Sequence, residues 1–513
     1  MTDPQGIRDG FASRLMRSRR TLLAVSLLVA SLGECVAAAD SKPAEAGTAE
    51  TWQVIHLSGQ RIGYSYSKTE AIQESKTQVL RTVSESHMTI KRFGQSLVIQ
   101  QTMETVETEA GDLLRFRFQT DNPPASTSTT HGTVHGSELR LAQTVDGQTK
   151  NSVQVWRPDV KSPGYQERVL QRSPLQPGDR RSFEAFVPDF SQVATIVLVA
   201  VDWENTPLLQ GPEKKLLTVK MTQSLLPGVV LIGSVDEHGQ TLKTSTRMLG
   251  TTLETFQVTR DQALKAIEGS ELDLAVSTLI KVPRIRHPQQ TKKVVYRATT
   301  LGQNPLEILP TGETQTITKT GAETAELTVI SVPIPAQATI EPVDGRFTAA
   351  SQYLQRDDVI VQQHAQKGAG DETDPAQIAR RMESYVHTAL TKKNFSTAMA
   401  SAGEVARTLE GDCTEHALLL AAMLRVKAIP SRVAVGLVYV DSLSAFGGHM
   451  WTEACLNGHW IPLDATLGRG GTGATHLKLS DSSFSDDGTA PIACFAPLML
   501  IIGHLQLEIL SVE

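Results

Sequence analysis

Three short segments in the last fifth of the chain carry residue types suited to nucleophilic chemistry. They are Gly411-Asp412-Cys413-Thr414-Glu415-His416-Ala417, Gly448-His449-Met450-Trp451-Thr452-Glu453 and Trp460-Ile461-Pro462-Leu463-Asp464. A cysteine attacks a carbonyl as the thiolate, so it needs a lowered pKa or a base beside it. Cys413 opens a run, Ala417 to Leu424, that is apolar on nearly every side, the pattern of a helix buried in a core. The partial positive charge at such a helix N-terminus favours the thiolate. The first N–H groups lack intrahelical partners and so can hold a developing oxyanion.

The base and its orienting acid are expected from a hairpin. If Asn457-Gly458 is a two-residue turn, Leu456 faces His459 and Asp464 falls opposite Trp451. Asp464 is then on the face of His449, one pair diagonally away, about 7–8 Å by backbone position and within reach of long side chains. A carboxylate there fixes the His449 tautomer and stabilises the imidazolium formed when His449 takes the Cys413 proton. The predicted catalytic residues are therefore Cys413 as nucleophile, His449 as base and Asp464 as orienting acid.

Neighbouring residues have plainer readings. Cys413 and His416 stand at C-x-x-H spacing, but no second pair completes a four-ligand metal site, so no metal or cofactor is expected. His416 is read as a polar residue beside the site or a satisfied core histidine, and His459 as solvated beside the turn. Trp451 and Trp460 are read as packing groups, Glu415 and Glu453 as makers of structural hydrogen bonds. The glycine-rich stretch Gly468 to Gly473 lacks G-K-S/T and reads as a flexible loop, not a nucleotide cradle. Cys455 is the rival thiol. It shares the strand face of His449 but lies about 20 Å along the strand, out of reach of that base.

These segments resemble the core of the transglutaminase-like superfamily: G-x-C-x-E-x-A before an apolar helix, then I-P-x-R, H-x-W-x-E and W-x-x-x-D. The matching residues are Gly411, Cys413, Glu415 and Ala417, then Ile429, Pro430 and Arg432, then His449, Trp451 and Glu453, then Trp460 and Asp464. The resemblance covers about 370–480. It implies a papain-like fold and Cys-His-Asp chemistry on an amide or ester carbonyl, with the roles already given to Cys413, His449 and Asp464. The second half-reaction stays open between hydrolysis and transamidation. The leading expectation is peptidase or amidase action on an envelope protein or peptide, with protein cross-linking as the alternative. A non-catalytic envelope binding or assembly module is the alternative of a different class, and binding alone needs no Cys-His-Asp set.

Elements that position these residues can be read from punctuation. Asp374-Pro375-Ala376-Gln377 is a helix start, with an acid cap and proline at the first helical position. The apolar helix runs from Cys413 to about Lys427. Pro430 follows it, then strands at 433–440, 449–456 and 459–464. Upstream, 51–285 is dominated by strand signals such as Val79 to Ile90 and Leu113 to Phe118, with Asp146-Gly147 as a hairpin turn. Its pattern resembles the curved, half-barrel sheet domains of exported bacterial proteins. Residues 286–345 read as a small β segment or a second β domain, and 346–513 as the catalytic domain. The fold class is thus α+β and multidomain, in keeping with 513 residues.

The N-terminal end reads as an address. Arg14, Arg17, Arg19 and Arg20 precede an apolar stretch at 21–33, and Ala37-Ala38-Ala39 offers a cleavage site before Asp40. The stretch is short of the roughly 20 residues a bilayer needs. Residues 1–39 are therefore expected to be a signal peptide, with Arg19-Arg20 compatible with a twin-arginine route, and 40–50 a linker. Export to the periplasm or beyond follows, with membrane contact only through the leader. Removing Cys35 leaves Cys413, Cys455 and Cys494, an odd number that a catalytic thiol explains. Only Cys455 and Cys494 would then be available to pair, and nothing in the sequence brings them together. A net charge of −6 with no basic run argues against a nucleic-acid partner. The expected partner is a protein or peptide substrate, and the oligomeric state is open.

Overall fold

The computed structural model describes residues 48–267, 273–486 and 491–513. The predicted signal peptide and most of the linker lie outside them. The chain divides into two compact units, one of the described residues up to Asp273 with a short return segment after Ser485, the other of Leu274–Ser485 with Pro497–Glu513. No helix among the described residues is long and apolar enough to cross a membrane.

The first unit is built on a 14-stranded antiparallel sheet. Its first strand, Thr48–Leu57, pairs with its last, Thr251–Val258, in the middle of the sheet. The outermost strands are Gln148–Val155 and Arg180–Val187, and the sheet is not closed. Alternation does what the sequence pattern says: in Thr77–Arg92 every second residue from Thr82 onward is buried. Two apolar clusters fill it, one around Leu198 and Val219, the other around Phe116 and Phe186. The Asp146-Gly147 turn closes a hairpin in which Val145 faces Gln148.

The second unit holds the chemistry. The helices that surround its chemistry-bearing residues are α1 (Val359–Ala369), α2 (Pro375–Ala389), α3 (Ala402–Thr408) and α4 (Cys413–Val426). Asp374 caps α2 by accepting the N–H groups of Ala376 (2.9 Å) and Gln377 (3.1 Å), the start the Asp-Pro signal predicts. Helix α4 is buried from Cys413 through Arg425 and packs on the other three helices. It also packs on β1 (Ser431–Val440) and β2 (Ala445–Leu456). With β3 (His459–Leu463) and β4 (His476–Ser482) these strands form an antiparallel sheet ordered β2-β1-β4, with β3 pairing β2. The short strand Ile280–Lys281 completes it.

Strands Gln315–Lys319, Thr324–Ile330 and Lys293–Thr300 join the C-terminal strand Leu505–Val512 in a second, four-stranded sheet. Gln315 links the two sheets, donating to Lys478 O (2.9 Å) and accepting Lys478 N–H (2.9 Å). That contact pins β4. The α4–β1 turn is held by Arg425, 0% exposed, whose guanidinium donates to Ser431 O (2.9 Å), Ala349 O (2.7 Å) and Ser483 O (2.6 Å). A buried guanidinium at a helix C-terminus is matched there by carbonyl oxygens and the negative end of the helix dipole.

Candidate active site

The hairpin has the register that a two-residue turn requires. Leu456 pairs with His459 and Thr452 with Leu463, and Asn457 and Gly458 both take positive φ, 54° and 76°. Asp464 leaves the end of β3 on the His449 side, and His449 Nε2 lies 2.9 Å from Asp464 Oδ2. Both side chains are fully buried. A carboxylate accepts but does not donate, so this bond puts the imidazole proton on Nε2. Nδ1 is left as the basic nitrogen, and it is buried with no hydrogen-bond partner. Asp464 Oδ1 accepts the N–H groups of Thr466 (2.9 Å) and Leu467 (3.2 Å), which fixes the carboxylate plane.

Cys413 is the first residue of α4 and 1% exposed. Thr452 of β2 donates to Ala417 O (2.9 Å), tying the second turn of α4 to the His449 strand. Two of the first-turn N–H groups expected to be open to an oxyanion, those of Thr414 and Glu415, are taken by the helix's own cap. Asp412 and Glu415 form a capping box: Glu415 accepts Asp412 N–H (2.9 Å), and Asp412 accepts the N–H groups of Thr414 (3.0 Å) and Glu415. The helix's own cap takes those three donors. Burial, with the neighbouring Asp412 adding, pushes the Glu415 carboxyl well above its ordinary range.

His416 is a satisfied core histidine beside the site. It is 0% exposed, its Nδ1 lies 2.5 Å from Asp412 O, and Lys393 Nζ donates to its Nε2 (3.0 Å). Burial first, and the Lys393 charge second, push its pKa down to about 3, so it stays neutral. Asp464 exerts the opposite influence on it, which sets the first turn of α4 in the field of that carboxylate. Glu453 is bound by Arg432 (2.6 Å) and Lys478 (2.7 Å). Trp460 stacks under Arg432 and against Phe347. His459 is exposed and meets Glu313 at 3.1 Å. None of Cys413, Cys455 and Cys494 is in a disulfide.

Residues 362–465, which include Cys413, His449 and Asp464, match the model of the transglutaminase-like superfamily. The chain carries a transglutaminase-like domain. No curated protein matches the chain. Among solved structures, a candidate cysteine protease from Cytophaga hutchinsonii is 18% identical, covering 38% of this chain and 82% of that one at a TM-score of 0.28. A β-barrel-like protein from Brucella abortus, a domain of unknown function, is 10% identical, covering 42% and 97% at 0.29. A candidate protease from Parabacteroides distasonis is 12% identical, covering 68% and 64% at 0.20.

Around the transglutaminase-like domain's His-Asp pair stand two residues that sequence reasoning passed over. His476, in β4 and beyond the matched segment, places its Nε2 3.0 Å from the same Asp464 Oδ2. Glu383, in α2 and 1% exposed, accepts the backbone N–H groups of Asp464 (3.1 Å) and Gly471 (3.0 Å). In the glycine-rich loop after Asp464, Arg469 and Gly470 are exposed, whereas Gly471 to Gly473 are buried and Gly471 is strapped to α2. The alternation in Thr475-His476-Leu477-Lys478 was the available signal, since Lys478 shares the face of Glu453.

Burial opposes ionisation of Asp464, yet His449 and then His476 overcome it and hold the carboxyl well below the usual carboxylate range. The same three side chains each bring a donor atom within 4.8 Å of the others, a spacing that invites comparison with a metal centre. The directions do not fit one. Both Nε2 atoms meet Oδ2 at hydrogen-bond distance, so the nitrogen positions a metal would need are turned onto the carboxylate with their protons. The cluster is a hydrogen-bonded one.

Proposed function

We propose that the protein is a thiol acyl-transfer enzyme, a peptidase or amidase that cleaves amide bonds of envelope proteins or peptides through an acyl-enzyme on Cys413. The observation that carries this reading is the His449–Asp464 bond, which leaves Nδ1 of a fully buried imidazole as the only basic atom of the pair. His449 Nδ1 takes the Cys413 proton. The thiolate forms a C–S bond to the amide carbon while the carbonyl π pair moves to oxygen. The tetrahedral adduct collapses, the C–N bond breaks, and the departing amine receives the proton from imidazolium. Asp464 balances the imidazolium charge throughout, as the buried acid does in a Ser-His-Asp triad. Water attacks the thioester in hydrolysis and a second amine in transfer.

The envelope setting rests on the leader-like N-terminus. Cys413 is 1% exposed, so an acyl donor must displace whatever covers it. An activated ester tests the chemistry. A p-nitrophenyl ester should give a burst of one equivalent per chain and an acyl mass on the peptide containing Cys413, absent in Cys413→Ala. Adding a primary amine then reads the partition: product that is all acid is hydrolysis, and amide product is transfer. No burst and no acylated peptide in the native chain would refute the reading.

A further inference from the structure

Asp464 Oδ2 is shared. His449 and His476 approach the same oxygen from different strands, at 2.9 and 3.0 Å, with ring centroids 5.8 Å apart. Trp451 fills the space beside both, 6.1 Å from His449 and 5.5 Å from His476. An oxygen in a site with no exposed surface has two lone-pair directions to satisfy, and leaving one unmet is costly. Oδ1 has its own two backbone donors, so without His476 the one group left short is Oδ2, with His449 alone on it and a lone-pair direction unmet.

We propose that His476 is a positioning residue of the active site, whose Nε2–H fixes Asp464 Oδ2 in the orientation that holds His449. The inference rests on the proposed function for its catalytic readout, though the contact itself does not. His476 is suited to this work as a neutral donor. Burial lowers its pKa against the raising effect of Asp464, so it gives a hydrogen bond without placing a second positive charge beside the imidazolium. The titratable groups acting on His476 are Asp464 and His449 on β2, while Glu383 on α2 and His416 on α4 act on Asp464. His416 is held neutral and Glu383 is turned to the backbone of 464 and 471.

Three substitutions separate a donor from a filler. Glutamine carries an amide N–H at the position of Nε2, asparagine ends short of it, and leucine fills space without donating. His476→Gln should alkylate at Cys413 within about 3-fold of the native rate, while His476→Asn and His476→Leu should be slower by about 10- to 100-fold, the rate equivalent of one charge-assisted hydrogen bond. In the slow variants the acid limb of the rate profile should move to higher pH, because Asp464 loses one of the donors that keep it ionised. Native rates and limbs in His476→Asn or His476→Leu would overturn the proposal, and so would equal losses in Gln and Asn. Nitrogen-15 imidazole spectra of the full chain read the same contact without catalysis. The His449 Nε2–H resonance should move in His476→Asn and stay in His476→Gln. A native chain that is never alkylated, but shows this pattern, would defeat the proposed function and leave the positioning role standing.

Discussion

The Glu383 carboxylate in α2 accepts the backbone N–H of Asp464 at 3.1 Å, so the acid that orients His449 is itself tethered by a second acid through its main chain. Burial raises the Glu383 pKa to about 7 against the pull of the backbone donors, from an ordinary value of 4.5. A raised carboxyl binds its proton more tightly in the folded chain than in the unfolded one. The stability it contributes is complete below about pH 4.5 and is lost as pH rises through about 7, roughly 3 kcal/mol over that window. Unfolding free energies of the native chain relative to Glu383→Gln should therefore fall by about that amount from pH 4.5 to 7 and level off above. A pH-independent difference would contradict the assignment.

Asp464→Asn sets donors against donors. Oδ2 faces two imidazole N–H groups and Oδ1 faces two backbone N–H groups, so the single amide oxygen can serve one side only. Loss of stability should be about 1–3 kcal/mol, the cost of buried donors left unmet. The rate of Cys413 acylation should fall by roughly 10³–10⁴-fold, because His449 is free to take the wrong tautomer. Thermal melts and burst kinetics on one preparation check both. An Asn variant that acylates at the native rate would remove Asp464 from the mechanism.

Gly436 sits directly across the β1–β2 ladder from His449, at a point where β1 shifts register against β4. A Cβ there would lie 2.0 Å from Leu477 O and 2.9 Å from the Trp451 ring. Gly436→Ala must push β4 away and carry His476 with it. It should destabilise the chain by about 3 kcal/mol or more and slow acylation, whereas Gly345→Ala, with open space around it, should do neither. Unfolding midpoints of the two variants decide this.

The hairpin was legible because Asn-Gly dictates its own register, and register alone puts Asp464 on the His449 side. The helix that Cys413 opens was legible from an apolar run with a cap before it. The fate of its first N–H groups was equally present in Asp412-x-x-Glu415, a capping box. Its consequence for an oxyanion follows only once each donor is assigned. The contacts of His476 and Glu383 with Asp464 were not legible, because nothing local names that partner. Each acts across the fold, one from a strand that reaches Asp464 through β1, the other from α2. A histidine in Thr475-His476-Leu477-Lys478 shows its face by alternation, but sequence does not say which carboxylate that face meets.

The central claim is that Cys413 is the activated thiol. Burial raises the pKa of the Cys455 thiol, and Cys455 is 2% exposed beside the hairpin turn. Treating the native chain with iodoacetamide at neutral pH and mapping its peptides puts the three thiols in direct competition. Cys413 should be carboxamidomethylated first, with Cys455 and Cys494 spared, and His449→Gln should slow that reaction sharply while leaving the melt largely unchanged. Modification of Cys455 with Cys413 intact would contradict the account.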